Sequence, residues 1–113
     1  MNLQTFNRLL EDTTVGLEGR AGQCGFPESF WQSMPDEVLD LPREFELESE
    51  NGTIERVAIA QKFVTTHAVL RAIEALEQKS RGADAHPDTR HVFIEGLEVV
   101  RGHAHRYRAC WGS

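Results

Sequence analysis

Hydrophobic residues recur with the period of an α-helix in two stretches of the chain. Near the start, four apolar residues fall three or four positions apart and predict a short amphipathic helix over residues 2–12. A second stretch, residues 60–79, has the same period and predicts a long helix whose apolar face lies opposite Arg71 and Glu74. The apolar positions are Leu3, Phe6, Leu9 and Leu10 in the first helix and Val69, Ala72, Ile73 and Leu76 in the second.

Between these helices the period changes to two, which is typical of a strand. From Arg43 to Glu50, acidic residues alternate with other residues, so all the acids are expected on one face. They are Glu44, Glu46, Glu48 and Glu50. The dipeptide Asn51-Gly52 then predicts a two-residue hairpin turn, because both positions of a type I′ turn need positive φ. The return strand, residues 53–59, would place Glu55 opposite Glu48, and that repulsion favours another register.

The C-terminal part predicts a second hairpin. Its strands are residues 90–100 and 103–111, joined by a two-residue turn at Arg101-Gly102. The opposed pairs in this register are Glu95 with Arg108 and Glu98 with His105. Both pairs bring an acid next to a base, which supports the hairpin.

Two segments lack periodicity and are predicted to be loops. One is the glycine-containing segment 13–25, and the other is segment 82–89. Between the first loop and the first strand, Ser33 has the features of a helix N-cap, with proline two residues later. A brief helix is therefore expected from Ser33 to Leu41, where the next proline would end it.

The predicted order of elements is helix, short helix, hairpin, helix, hairpin. Strands that are grouped in hairpins, instead of alternating singly with helices, favour an α+β fold. The length of 113 residues suits one domain. We therefore expect a single small domain over residues 1–113: an antiparallel sheet of two hairpins, a long helix between them, and the short N-terminal helices packed on one face.

Composition places the chain among globular proteins. Apolar residues make up 40% and charged residues 27% of the sequence, which argues against disorder. No apolar run approaches the ~20 residues that span a bilayer. The start of the sequence also lacks the basic and apolar regions of a signal peptide. We therefore expect a cytoplasmic protein of bacterial type, with no membrane partner and with Cys24 and Cys110 reduced.

Charge is sorted along the sequence. The formal net charge is −6, but residues 28–55 hold nine carboxylates against one base, Arg43. Residues 101–108 hold three arginines, two histidines and no acid. The sequence has no phosphate-binding loop, no nucleophile elbow and no HExxH motif. Together these observations favour a non-enzymatic protein that acts by protein–protein interaction, as an inhibitor, an immunity-type factor or an accessory factor.

Two groups of residues are candidates for that interaction. The first is the acidic strand face formed by Glu44 to Glu50, which would attract a basic partner. The second is an aromatic cluster that includes Phe30 and Trp31, because aromatic residues are enriched at interface centres. The alternative for this cluster is a place in the core. A homodimer that pairs the acidic strand of one chain with the basic hairpin of another is a further hypothesis.

A metal- or thiol-dependent enzyme is the alternative from another class. His103 and His105 are two residues apart, so on a strand both would point to one face and could reach a common divalent metal. His91 would be a more distant third ligand on the partner strand. Cys24 lies beside glycine before a segment with helical signals, where a thiol can have a lowered pKa. His67 on the long helix would be its partner base.

A third hypothesis is nucleic-acid binding through the C-terminal hairpin. Arg101, Arg106 and Arg108 could contact phosphates, and Tyr107 could stack on a base. The overall negative charge disfavours this function, because it repels phosphate. Charged residues also protect edge strands from aggregation, which explains the same pattern without a nucleic acid.

Overall fold

The computed structural model of the protein describes residues 1–14, 16–20, 23–81 and 92–112. These residues form three helices and six strands. In chain order the elements are α1 (Leu3–Thr13), β1 (Glu18–Arg20), β2 (Gln23–Gly25), α2 (Glu28–Ser33), β3 (Glu44–Glu48), β4 (Ile54–Ala58), α3 (Thr66–Arg81), β5 (Phe93–Val99) and β6 (Arg106–Gly112). The loop predicted over residues 82–89 lies outside the described residues.

Four strands form one sheet in the order β4-β3-β6-β5, and β1 pairs with β2 in a separate ribbon. The hairpins β3–β4 and β5–β6 are antiparallel, while the two central strands, β3 and β6, are parallel. Helix α3 lies between the hairpins in sequence and packs on the sheet. The predicted α+β fold, with two hairpins and a long helix between them, is confirmed. The parallel central pair was not predicted.

The core lies between α3 and the sheet face that carries the apolar side chains. Every second residue of the central strands points to this side, as the strand period requires. The buried residues of β3, β6 and α3 that line this part of the core include Phe45 and Leu47, Tyr107, Ala109 and Trp111, and Val69, Leu70, Ile73 and Leu76. The opposite face of the sheet, the outer face, carries the acidic residues of β3.

Helix α1 covers one edge of the sheet. The side chain of Asn7 is hydrogen-bonded to the edge strand β5: its Nδ2 donates to the carbonyl of Leu97, and its Oδ1 accepts from the N–H of Leu97, both at 2.9 Å. Gly96 leaves room for this contact, because a Cβ there would collide with Asn7. Further along the same edge, the N–H of Leu17 donates to the carbonyl of Val92 at 2.9 Å. The edge of β5 is therefore covered at two places.

The short second helix lies earlier in the sequence than predicted. It spans Glu28–Ser33 and ends at the residue that we expected to begin it. Pro27 occupies the N-cap, where its missing N–H is tolerated, and Pro35 prevents the helix from continuing. The helix expected from Ser33 to Leu41 is therefore absent. The loop predicted over residues 13–25 is also corrected, because it contains the β1–β2 ribbon.

The first hairpin turns over three residues instead of two. Ser49 and Thr53 are hydrogen-bonded across the turn, and Gly52 has a φ of 88°. Glu55 consequently lies opposite Leu47. The like-charge pair that a two-residue turn would create does not form, which is a physical reason for this register.

The second hairpin also has a longer turn than predicted. The N–H of Val100 donates to the carbonyl of Arg106 at 2.9 Å, so the turn spans residues 101–105. Within it, His105 has a left-handed φ of 57°. The segment that was predicted to begin the last strand is therefore the turn itself.

Because the turn is longer than two residues, the predicted register of this hairpin is wrong. Glu98 lies opposite Arg108, where the prediction placed Glu95, and it does not lie opposite His105. A β-bulge at Glu95 adds one residue to β5 and shifts the register again. An acid still faces a base across the hairpin, but the pair is Glu98 with Arg108.

Candidate functional site

The acidic strand face is interleaved with arginines from the neighbouring strands. Glu46 accepts a hydrogen bond from Arg106 Nε at 3.1 Å, and Glu48 forms an ion pair with Arg108. The hydrogen bond and the charge of Glu48 hold the pKa of the Arg108 guanidinium above its usual value. The acidic and basic segments of the sequence therefore meet on one sheet face.

The remaining acids of this face are more exposed. Glu44 and Arg56 are 3.9 Å apart with side chains 71% and 78% exposed, so their attraction is largely screened by water. Glu50 lies beyond β3 in the hairpin turn and is exposed. The outer face is thus a mixed row of acids and bases. The β3–β6 pair joins, inside one chain, the two strands that the homodimer hypothesis paired between chains.

Strand β4 forms the other edge of the sheet, and the part of the chain that the structure describes leaves this edge open. The hydrogen bonds from Ile59 to Arg43 and from Ser49 to Thr53 fix the ladder, so the odd-numbered residues of β4 bond to β3. The residues whose N–H and C=O groups point outward are Ile54, Arg56 and Ala58. Among the described residues, no hydrogen bond reaches these outward groups. The two edges of the sheet therefore differ in hydrogen bonding: Asn7 and Leu17 bond to the β5 edge, and no described residue bonds to the β4 edge.

A groove of about 420 Å³ runs along the open edge, between β4 and α3. Its apolar lining consists of Val57, Ala58, Ala72, Ala75 and Leu76. Ala75 is exposed and Ala72 is half-buried, so α3 presents short side chains to the groove. Glu55 and Lys79, which form an ion pair, also line it. The open edge thus adjoins an apolar space beneath the sheet.

The two aromatic candidates lie in different environments. Phe30 is 0% exposed and stacks on Phe26 with ring centroids 4.5 Å apart, so it belongs to the core and its expected place on a contact surface is corrected. Trp31 is half-buried. The Arg71 guanidinium lies 3.7 Å from its ring centroid, and the His67 ring meets it edge-on at 5.3 Å. Trp31 is therefore covered by side chains of α3.

The histidines that were expected to bind metal do not share a strand face. His103 and His105 lie in the turn before β6, and both are exposed. His103 Nε2 is 3.2 Å from Arg106 Nη1. His91 lies outside the described residues. Within the parts of the chain that the structure describes, no three histidine, cysteine or acidic residues are placed to hold a metal ion.

Cys24 is buried on β2 beside the C-terminal half of α3. It is 1% exposed, and Gln78 Nε2 donates to its backbone carbonyl at 2.8 Å. Burial raises the pKa of the thiol, although the charge of Arg81 opposes that effect. His67 lies about three turns before Gln78 on α3, which is ~16 Å along the helix axis. The thiol and the imidazole therefore do not form the pair that the enzyme hypothesis requires.

Alkylation of Cys24 by iodoacetamide near neutral pH is expected to be roughly tenfold or more slower than that of a small free thiol such as N-acetylcysteine. The reactive species is the thiolate, and burial lowers both its population and its accessibility. Because the pKa is raised, the rate should climb only above the pH range in which an exposed cysteine ionises. Mass spectrometry of the Cys110→Ser variant isolates the Cys24 reaction. A rate equal to that of the free thiol would revive the thiol-enzyme hypothesis.

The C-terminal hairpin does not present a nucleic-acid surface of the expected kind. Tyr107 is buried on the inner face, where its ring meets Phe45 edge-on at 6.0 Å, so it cannot stack on a base. Burial raises the pKa of Tyr107, with a further contribution from Asp40. Arg106 and Arg108 are already engaged by the glutamates of β3.

The open edge was not identified from the sequence, because a hairpin pattern does not say which strand lies outermost. One signal was present. Ala68, Ala72 and Ala75 recur at helical spacing, and a row of short side chains on one helix face indicates an adjoining space. Periodicity alone did not reveal what that space adjoins.

Comparison of the chain with protein-family models, curated proteins and solved structures finds no match. None of the described helices is long and apolar enough to cross a membrane. The function must therefore be argued from the geometry of the described residues.

Proposed function

We propose that the protein acts by binding another protein, which adds a strand to the open edge of β4. The contrast between the two sheet edges carries this proposal. Asn7 and Leu17 cover β5, whereas the outward groups of β4 have no hydrogen bond among the described residues. An uncovered strand edge is a template for pairing with another chain. The proposed contact surface is therefore the β4 edge, which adjoins the acidic strand face expected from the sequence.

The groove beside β4 supports this proposal. A strand paired with β4 extends the sheet over α3, and every second side chain of that strand points into the space lined by Ala72 and Ala75. Main-chain hydrogen bonds supply affinity, and the groove selects apolar side chains at alternate positions. On the outer face, Ile54 is 41% exposed and offers a further apolar contact.

Arg56 adds a preference for charge. Its side chain lies on the outer face in the middle of β4 and is 78% exposed. Opposite charges on facing strands attract and like charges repel, so an acidic residue is preferred across from Arg56. The same rule disfavours a second copy of β4 in the register that would face Arg56 with Arg56. The proposed partner segment is extended, apolar at alternate positions and acidic opposite Arg56.

Ala58→Pro is expected to weaken partner binding by roughly tenfold or more while the fold is retained. The N–H of Ala58 points away from β3, so proline removes an outward donor without breaking the ladder of the sheet. Capture from an extract of the source cell, followed by titration calorimetry with the purified partner, measures the loss.

Ala58→Ser is the matched control, because it keeps the N–H and should bind as the wild type does. The purified partner should also slow hydrogen exchange at the amides of Ile54, Arg56 and Ala58. A partner that binds Ala58→Pro as tightly as the wild type, or that protects other amides, excludes this edge as its contact. Sedimentation of the purified chain reports whether a second copy is the occupant instead.

A further inference from the structure

A second groove, of about 740 Å³, lies at the other edge of the sheet, between the end of α1 and the ends of β5 and β6. Its floor is apolar: Leu10, Ile94 and Trp111 are buried, and Phe93 is 38% exposed. Small-molecule sites have volumes of about 300–1,000 Å³. The groove shares no lining residue with the groove beside β4, so it is a separate candidate site.

Two exposed acidic residues also line this groove. Glu11 lies in the last turn of α1, and Glu95 is the bulged residue of β5. The bulge directs the Glu95 side chain over Gly112 of β6, where a Cβ would collide with the carboxylate. Glycine at this position is therefore what allows the carboxylate to lie there.

The two charged residues that line this groove in the described part of the chain are both acidic, and Arg81, whose guanidinium lies 4.9 Å from the ring centroid of Trp111, is paired with Glu77. Among the described residues that line the groove, the charged ones are Glu11 and Glu95, and neither carboxylate has a hydrogen bond or an ion pair. The last turn of α1 contains no basic residue, so the negative end of the helix dipole adds to the same field. A field of this sign attracts a cation and repels an anion.

We infer that this groove binds a small organic cation, an ammonium group carried on an aromatic or branched aliphatic body. The floor buries the body and the carboxylates contact the ammonium group, so both parts of the ligand contribute. The floor contains two aromatic residues, Phe93 and Trp111, and aromatic rings pack well on one another, which favours a ring over the narrow stem of a lysine side chain. An anion of the same shape is repelled, and a neutral analogue loses the charge contacts.

Amide NMR of the full chain with phenethylamine tests this inference. Phenethylamine should produce saturable shifts at the amides of residues 10–14 and 93–96. Phenylethanol, which has the same ring without the charge, should bind roughly fivefold more weakly or worse. Phenylpropionate, which has the opposite charge, should produce no shifts at these amides. Absence of saturable shifts with phenethylamine, or equal affinity for phenylethanol, would overturn the inference.

Three variants separate the site from general charge effects. Glu95→Gln removes a carboxylate, and Gly112→Ala displaces the same carboxylate without removing it, so each should weaken phenethylamine binding by roughly fivefold. Glu28→Gln, at an exposed acid on α2, should leave it unchanged. If Glu95→Gln binds as the wild type does, the site is wrong. If a blocked Gly-Lys-Gly peptide shifts these amides more strongly than phenethylamine, the occupant is a basic side chain and the small-molecule inference fails.

The test is independent of the proposed strand addition. Ala58→Pro lies at the other edge of the sheet and should bind phenethylamine normally. Loss of phenethylamine binding in that variant would mean that the whole fold, and not the β4 edge, had changed.

Discussion

Replacing Gly96 with valine is expected to lower the free energy of unfolding by about 3–5 kcal/mol. Gly96 has a φ of 143°, a conformation that residues with a side chain rarely adopt. A Cβ there would also collide with Asn7, whose amide is hydrogen-bonded to both backbone groups of Leu97. Valine therefore strains β5 and displaces α1 at once. The loss is a large part of the ~5–15 kcal/mol that stabilises a typical domain.

Urea unfolding followed by circular dichroism measures this loss, with Gly102→Val as the matched control. Gly102 has a φ of 82°, but a Cβ there would meet no atom within 4 Å, so valine adds strain without a collision. It should cost about 1–2 kcal/mol. Asn7→Ala in the Gly96→Val background should recover part of the difference. Equal losses at Gly96 and Gly102 would mean that α1 does not pack closely on β5.

Arg81→Met is expected to cost about 3 kcal/mol, because it leaves a buried carboxylate without its cation. Glu77 is 2% exposed, and its Oε2 accepts hydrogen bonds from Arg81 Nε at 3.0 Å and from the Ser80 hydroxyl at 3.1 Å. Its Oε1 has no hydrogen bond among the described residues. The Arg81 guanidinium also lies 4.9 Å from the ring centroid of Trp111, and methionine keeps part of that packing.

Thermal and urea unfolding of two further variants identify the cause of this loss. Lys79→Met removes an exposed cation that pairs with Glu55, and it should cost less than about 1 kcal/mol. Glu77→Leu combined with Arg81→Met should restore most of the stability, because apolar side chains replace both ions. A double variant as unstable as Arg81→Met alone would show that the loss does not come from an uncompensated charge.

Elements that depend on nearby residues were predictable from local patterns. The helical period placed α1 over residues 2–12, within one residue of its observed bounds, and the alternation after Arg43 placed β3. Helix α3 begins later than its predicted start at residue 60. The reason is local too: the Thr65 hydroxyl accepts a hydrogen bond from the N–H of Ala68 at 3.2 Å, as an N-cap side chain does.

Strand registers were not predictable in the same way, because turn length and bulges decide them. One extra residue in the first turn moved Glu55 to the inner face, beside α3. Because the second turn is longer than predicted, His103 and His105 lie in the turn and not on the strand. They therefore do not share the strand face that the metal hypothesis requires. An alternating sequence is compatible with several registers, and the length of the turn determines which of them forms.

Parts of the candidate site that depend on strand order could not be found from local patterns. The sorted charges pointed outward to a partner, whereas Glu46 and Glu48 meet Arg106 and Arg108 within the sheet. The attraction between acids and bases that the sequence suggested therefore occurs within this chain, between β3 and β6. Whether β4 or β3 lies at an edge depends on the same non-local pairing, so the open edge became evident only in the folded chain.

The parallel pairing of β3 with β6 also bears on how the chain is made. Glu46 and Arg106 are 60 positions apart, so a ribosome must add that many residues before β3 meets its inner neighbour. Until then, β3 has an unpaired edge that could join the strands of other nascent chains. Its row of glutamates repels the same row on another copy, which keeps that edge from self-association. The acids that later hold β6 would thus first act as protection against aggregation during synthesis.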